Sequence, residues 1–143
     1  MKISRVLKWY LLIISLYLLG DGFVHVLNIK LLSPDPLWPS NIVIFSKYMS
    51  QLYGMFTILA ALFGIEVSRN LEKYQNFLYI TSVWGVIYGL LLIYYNFNID
   101  FVTVFSNTPA IYFWIPFYNF YIIFEACLLY VFVFLVFLWS KRK

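Results

Sequence analysis

The chain has 143 residues, of which 64% are hydrophobic, 23% are aromatic and only 11% are charged. Soluble globular domains carry about 25% charged residues, so the composition excludes an ordinary soluble domain and indicates an integral membrane protein. The formal charge of +4 does not indicate nucleic-acid binding, because the basic residues flank apolar segments, where they can contact anionic lipid headgroups.

Four apolar segments are long enough to cross a bilayer, which requires about 20 residues each. They lie at residues 6–28, 42–65, 77–97 and 116–139. The sequence therefore predicts an all-α fold, in which residues 1–143 form a single domain: an integral membrane four-helix bundle. Lys2, Arg5 and Lys8 at the start of the chain are typical of a signal peptide, but the apolar run continues past Gly20 without a small-residue cleavage site. We expect an uncleaved first helix.

The first span contains two ionisable residues, Asp21 and His25, and His25 is the only histidine in the chain. A charged side chain at membrane depth costs about 2.5–3.5 kcal/mol on insertion scales, so such residues usually face a partner or a cavity. Polar and aromatic residues recur here at spacings of three and four, which places them on one helix face. They are Tyr10, Tyr17, Asp21, His25 and Asn28.

The second span has a comparable stripe of small and hydroxylated residues, with the polar residue Gln51 beside it. The stripe consists of Ser46, Ser50, Tyr53, Thr57, Ala61 and Gly64. Small residues let neighbouring membrane helices approach closely, so we expect this face to pack inside the bundle. Glu66, at the end of the span, is expected to be a solvated residue near Arg69.

The third span carries Gly85-x-x-x-Gly89, a spacing typical of close helix packing either within the chain or between copies of it. The fourth span aligns Tyr118, Tyr121 and Glu125 and then becomes wholly apolar. Cys127 has no CxxC partner and is expected to be a buried structural cysteine. Ile115 precedes Pro116 and is therefore expected to be extended.

The distribution of lysine and arginine predicts the orientation, since cytoplasmic loops carry an excess of both. Eight of the ten basic residues fall on one side of a four-span topology. These are Lys2, Arg5, Lys8, Arg69, Lys73, Lys141, Arg142 and Lys143. We therefore expect both termini to be cytoplasmic, in a multi-pass protein of the cell membrane.

Five polar residues then fall in the outer half of the bundle and form the predicted ligand-binding site. They are Asp21, His25, Gln51, Tyr88 and Glu125. Three interpretations remain open: a structural cluster of paired polar groups, a pocket for a hydrophobic molecule such as a quinone, a sterol-like lipid or an amine, or a metal site. A single histidine excludes bis-histidine haem within the chain and the two-histidine iron triad, so no metal is assigned.

The segments GDGFVHVLN, SPDPLWPS and LYGMFTILAALFGI, within residues 18–65, resemble the layout of the small DoxX-like membrane proteins. The resemblance implies four membrane helices and a histidine late in the first span, a position that His25 occupies. Namesake members of that family are linked to quinone-dependent sulfur oxidation. The overall plan is also similar to the four-span EXPERA proteins, which hold hydrophobic ligands beside membrane acidic residues.

The resulting hypothesis is a non-enzymatic or accessory membrane protein with an outward polar pocket for a hydrophobic ligand. It would contact membrane lipid and act as a subunit of a membrane redox complex or as a homo-oligomer. The alternative is a small quinone-linked membrane enzyme, or a proton-coupled transporter, that uses Asp21 and Glu125 as exchangeable protons. No catalytic residue is assigned, because no complete catalytic motif is present.

Overall fold

A computed structural model of the chain describes residues 2–27, 40–98 and 111–141. Nearly all of these residues are helical and, within these three ranges, none forms a strand. The helices are α1 (Ile3–Val26), α2 (Ser40–Arg69), α3 (Gln75–Asn98) and α4 (Ile111–Ser140). The predicted all-α fold class with four membrane-length helices is confirmed.

The helix bounds differ from the predicted spans chiefly at α4, which begins at Ile111 instead of at residue 116. Pro116 therefore lies inside the helix, and the expectation that Ile115 is extended is wrong. Proline removes one backbone hydrogen bond, and membrane helices tolerate this loss because neighbouring groups satisfy the freed carbonyl. Asn28, which was assigned to the polar face of the first span, lies outside the described residues.

All four helices are long and apolar enough to cross a membrane. Only 11–22% of each candidate span is buried inside the protein, and the exposed side chains include many large apolar residues, among them Phe97, Trp84 and Ile44. So large an apolar surface is rare on soluble monomers, whereas lipid tails accommodate it. The chain is an integral, multi-pass membrane protein whose apolar helix surfaces contact lipid.

The chain divides into two compact units, one of residues 8–70 and the other of residues 1–7 with 71–143. The first unit contains most of α1 together with α2 and is called the α1–α2 pair. The second contains α3 and α4 and is called the α3–α4 pair. The single-domain organisation expected from the sequence remains a prediction.

The α1–α2 pair is held at a crossing where Gly22 of α1 meets Gly54 of α2. A methyl group placed on Gly22 would lie 2.6 Å from Ile58 Cγ1 and 2.8 Å from the carbonyl oxygen of Gly54. A methyl group on Gly54 would lie 2.6 Å from the carbonyl oxygen of Gly22. The backbones of the two helices are therefore in direct contact, which only glycine allows.

Small residues continue this contact along both helices. Ser15, Thr57 and Ala61 are buried, and a methyl group on Gly64 would collide with Ser15 Oγ. His25 contacts Ser50, Gly22 contacts Gly54 and Ser15 contacts Gly64, so residue numbers rise on α2 as they fall on α1, and the helices are antiparallel. The described part of the small-residue stripe predicted on the second span, from Ser50 to Gly64, packs against α1; the side chain of Ser46 lies outside the described residues.

The α3–α4 pair uses glycines differently. A methyl group on Gly85 would lie 3.2 Å from Val133 Cγ2, and one on Gly89 would lie 3.0 Å from the Tyr130 ring. Both glycines are buried and contact side chains of α4, not its backbone. The GxxxG spacing therefore serves packing within the chain, which was one of the two interpretations of Gly85 and Gly89.

Cys127 is exposed on the surface of α4, so the prediction of a buried structural cysteine is wrong. Its neighbour Ala126 is buried instead. The sequence around both residues is apolar on every side of the helix, and a uniformly apolar helix carries no pattern that separates a packed face from a lipid-facing one.

We predict that alanine substitution at the helix crossing is destabilising while substitution at Gly20 is not. Gly22→Ala and Gly54→Ala force a methyl group against rigid backbone and should lower the free energy of unfolding by about 1–3 kcal/mol, as overpacking does. Gly20 has no atom within 4 Å of an added methyl group, so Gly20→Ala is the matched control. It should leave stability unchanged or raise it by up to ~1 kcal/mol through helix propensity. Thermal unfolding in lipid nanodiscs measures the series; equal effects at Gly20 and Gly22 would contradict the crossing.

Candidate functional site

His25 lies at the centre of a polar cluster between α1 and α2. Its Nδ1 atom is 2.8 Å from Ser50 Oγ, a hydrogen bond between the helices. Its Nε2 atom is 3.6 Å from Asp21 Oδ1, one helical turn earlier on α1. The Tyr53 ring packs edge-on against the imidazole, with ring centroids 4.9 Å apart and an interplanar angle of 79°. Asp21, His25, Ser50 and Tyr53 are named the His25 cluster.

The glycine crossing positions this cluster. Gly22 lies between Asp21 and His25 on α1, and Gly54 follows Tyr53 on α2. A methyl group on Gly54 would lie 2.8 Å from His25 Cβ, so the absence of a side chain at Gly54 provides the space in which the base of His25 sits. The close approach of the two backbones then brings Ser50 within hydrogen-bonding distance of the imidazole.

Asp21 is less exposed than His25, with 16% of its side chain accessible. The Tyr53 side chain hydrogen-bonds its carboxylate, and His25 faces Oδ1. Oδ2 is buried and has no hydrogen-bond partner among the described residues. A buried acceptor without a partner costs about 1–3 kcal/mol, so it requires a specific explanation.

The hydrogen placement in the cluster can be assigned for a neutral imidazole. We assign the proton of the neutral imidazole to Nε2, because an unprotonated Nε2 would direct its lone pair at the Asp21 carboxylate. Nδ1 is then an acceptor, and the Ser50 hydroxyl donates to it. The hydroxyl of Tyr53 donates to Asp21. All the polar hydrogens of the four side chains are therefore directed at acceptors within the cluster.

Gln51, also predicted as a site residue, has a contact of its own. Its Nε2 donates to the backbone carbonyl oxygen of Val26, at 3.3 Å. Val26 ends α1, and the last four carbonyls of a helix have no partner within that helix. Gln51 therefore caps the end of α1 from the neighbouring helix, which is a structural role beside the cluster.

Tyr88 and Glu125 belong to the α3–α4 pair. They are close enough to interact electrostatically, and Tyr88 is 48% exposed. Asp21, His25 and Gln51 are thus brought together in one helix pair, and Tyr88 and Glu125 in the other. The expected proximity of Asp21 and Glu125 remains a prediction.

The predicted site omitted Ser50 and Tyr53, the two α2 residues that contact His25 directly. Both belong to the small-residue stripe of the second span, whereas Asp21, His25 and Glu125 are predicted from the cost of ionisable groups in a membrane. The antiparallel register of α1 and α2 would have predicted this contact. When Gly22 is paired with Gly54, His25 at the end of α1 lies opposite the turn of α2 that carries Ser50.

The solvated position predicted for Glu66 is confirmed, since Glu66 Oε2 lies 3.3 Å from Arg69 Nη1 and both side chains are exposed. Within the described ranges, no group of three or more histidine, cysteine, aspartate or glutamate residues is arranged to hold a metal ion.

No protein-family model, no curated protein and no solved structure matches this chain.

We predict that His25 and Ser50 are energetically coupled. His25→Ala and Ser50→Ala each remove the hydrogen bond between the helices, so the double variant should be less destabilised than the sum of the single variants by about 0.5–3 kcal/mol. The exposed pair Glu66→Gln and Arg69→Gln is the matched control, with coupling of about 0.2–1 kcal/mol. Unfolding free energies in mild detergent measure both cycles. Additivity of His25→Ala and Ser50→Ala would show that the bond contributes nothing to stability.

Proposed function

We propose that this membrane protein binds a hydrophobic small molecule through that molecule's polar end, at the His25 cluster. The observation that carries the proposal is the buried Oδ2 atom of Asp21, which has no partner among the described residues. A cluster that served only to join two helices would gain most from satisfying every buried polar atom. Functional sites, in contrast, are often retained at a cost in stability.

Access from the lipid supports the same proposal. The His25 side chain is 36% exposed, and Tyr53 is 43% exposed. The neighbouring outward-facing residues of α2 are large and apolar, including Met49 and Phe56, which lie one turn before and after Tyr53. A ligand dissolved in the bilayer would meet an apolar surface with one polar group set into it, which is the usual composition of a small-molecule site.

The topology is a second part of the proposal. The excess of Lys and Arg near the two chain ends and the α2–α3 connection supports a cytoplasmic location for both termini. The His25 cluster, at the end of α1 and the first half of α2, then lies in the outer half of the bilayer. We place the protein in the cell membrane, where such a site would open towards the outer leaflet.

A second candidate function is proton exchange, as in a quinone-linked enzyme or a proton-coupled transporter. The observation that favours it is the placement of the imidazole between a carboxylate and a hydroxyl, since such a ring can accept a proton on one side and release one on the other. The resemblance to DoxX-like proteins supports a quinone as the reacting molecule, and the same site would serve an accessory subunit of a redox complex. An absorption spectrum of the gently purified protein distinguishes this candidate, because a bound quinone absorbs in the ultraviolet and responds to a reductant.

We predict that a small molecule copurifies with the protein and is retained through Asp21. Native mass spectrometry of protein released from nanodiscs should show a bound species that Asp21→Asn loses. Glu66→Gln makes the same chemical change at an exposed carboxylate outside the cluster and should retain it. A purely structural cluster would behave differently: Asp21→Asn would lower the unfolding temperature strongly and leave the bound species unchanged.

We predict the membrane orientation as a pattern of thiol labelling. The variants carry single cysteines in a Cys127→Ala background, and an impermeant thiol reagent is applied to intact cells. Positions on the outer side should be labelled and positions on the cytoplasmic side should not. The outer positions are Ser33 and Asn107, and the cytoplasmic ones are Ser4, Asn70 and Ser140. Asn70 directly follows the last residue of α2 and is exposed. Labelling at Asn70 from outside would reverse the proposed orientation.

A further inference from the structure

The hydrogen bonds of the His25 cluster leave one oxygen of Asp21 without a donor. With the neutral imidazole protonated at Nε2, the Ser50 hydroxyl donates to His25 Nδ1, the Nε2 proton faces Asp21 Oδ1, and the Tyr53 hydroxyl is engaged with the Asp21 carboxylate. One acceptor, Asp21 Oδ2, is buried without a partner in the described part of the chain. The cluster therefore has an unused acceptor and no unused donor.

We infer that the ligand of this site presents a hydrogen-bond donor, an alcohol or an amine at the end of an apolar body, and that this donor binds Asp21 Oδ2. The inference rests on the proposed function and specifies its ligand class. A molecule with acceptors alone, such as a ketone, an ester or an oxidised quinone, would add a second unpaired acceptor beside the first. A polar site rejects a ligand of the wrong hydrogen-bonding type because binding that ligand leaves buried polar groups without hydrogen-bond partners.

Reaching Oδ2 requires a side chain to move, because the atom is buried. Tyr53 packs edge-on against His25 and is 43% exposed, so its ring has room to rotate outward. Rotamer changes of exposed side chains take place on the picosecond-to-nanosecond timescale. The donor group would then enter between Tyr53 and α1, the Tyr53 ring would return to its hydrogen bond with Asp21, and the apolar body would remain against the lipid-facing surface.

Replacing Asp21 with asparagine should invert the ligand preference. The single side-chain oxygen of the Asp21→Asn variant would accept from His25 and Tyr53, so its amide NH2 would occupy the position of Oδ2. The site would then offer an unused donor in place of an unused acceptor. A ligand with acceptors alone should therefore bind the Asp21→Asn protein better than it binds the native protein.

The experiment uses three probes with the same alkyl chain: dodecanol, dodecylamine and methyl dodecyl ketone. All three are added at the same mole fraction to phosphatidylcholine nanodiscs that contain the protein. With the native protein, the alcohol or the amine should raise the unfolding temperature by about 2–4 °C, and the ketone should not. Asp21→Asn should reverse this order, and the control Glu66→Gln should preserve it. A response to both the alcohol and the amine indicates a neutral donor site, and a response to the amine alone indicates a cationic ligand.

Failure of the inference is distinguishable from failure of the proposed function. If the ketone stabilises the native protein as much as the alcohol and the amine do, or if no probe has an effect while a copurifying molecule still depends on Asp21, the donor class is wrong and the binding function stands. If copurification does not depend on Asp21, the proposed function itself fails. The order of the probes on the native protein is decisive even where Asp21→Asn does not fold.

Discussion

The contact between the backbones of Gly22 and Gly54 is the constraint on which the rest of the α1–α2 pair depends. Lipid tails are as apolar as leucine, so apolar burial does not drive membrane helices together, and close packing with hydrogen bonds must do so. An added methyl group at either glycine would lie within 3 Å of the other helix's backbone. This approach distance determines that His25 and Ser50 form a direct hydrogen bond, and it thereby organises the polar cluster.

Glycine has a different packing role in each of the two helix pairs. In the α3–α4 pair, Gly85 and Gly89 accommodate the side chains of Val133 and Tyr130, which can adjust by rotation if the space changes. In the α1–α2 pair, glycine meets backbone, which cannot adjust. The candidate site is therefore built on the more rigid contact, as a binding constellation requires if its polar groups are to be held in register.

Hydropathy and residue spacing predicted the four helices, and small residues predicted the packed face of α2, because its small and hydroxylated residues recur at spacings of three and four. The same reasoning was wrong at Cys127, since α4 is apolar on all sides and its lipid-facing side has no distinct pattern. It was also wrong at Ile115, where the local preference before proline yielded to helix formation in the fourth span. The site was predicted in part: Asp21 and His25 were identified by the cost of ionisable groups in a membrane, whereas Ser50 required the helix register, which spacing within one helix does not contain.

The register also explains why the cluster combines a histidine, a carboxylate and two hydroxyl groups without becoming a saturated structural network. Asp21 and His25 are one turn apart on α1, so they face the same turns of α2, where Ser50 and Tyr53 are three residues apart. Each α2 hydroxyl then engages a different α1 side chain: Ser50 bonds His25, and Tyr53 bonds Asp21. The two hydroxyl hydrogens and the imidazole hydrogen equal the three acceptor atoms in number, but neither of the two hydrogens directed at the Asp21 carboxylate reaches Oδ2. The unpaired oxygen therefore follows from where the two facing turns direct their hydrogens, and it gives the site a preference for a molecule that donates a hydrogen bond to it.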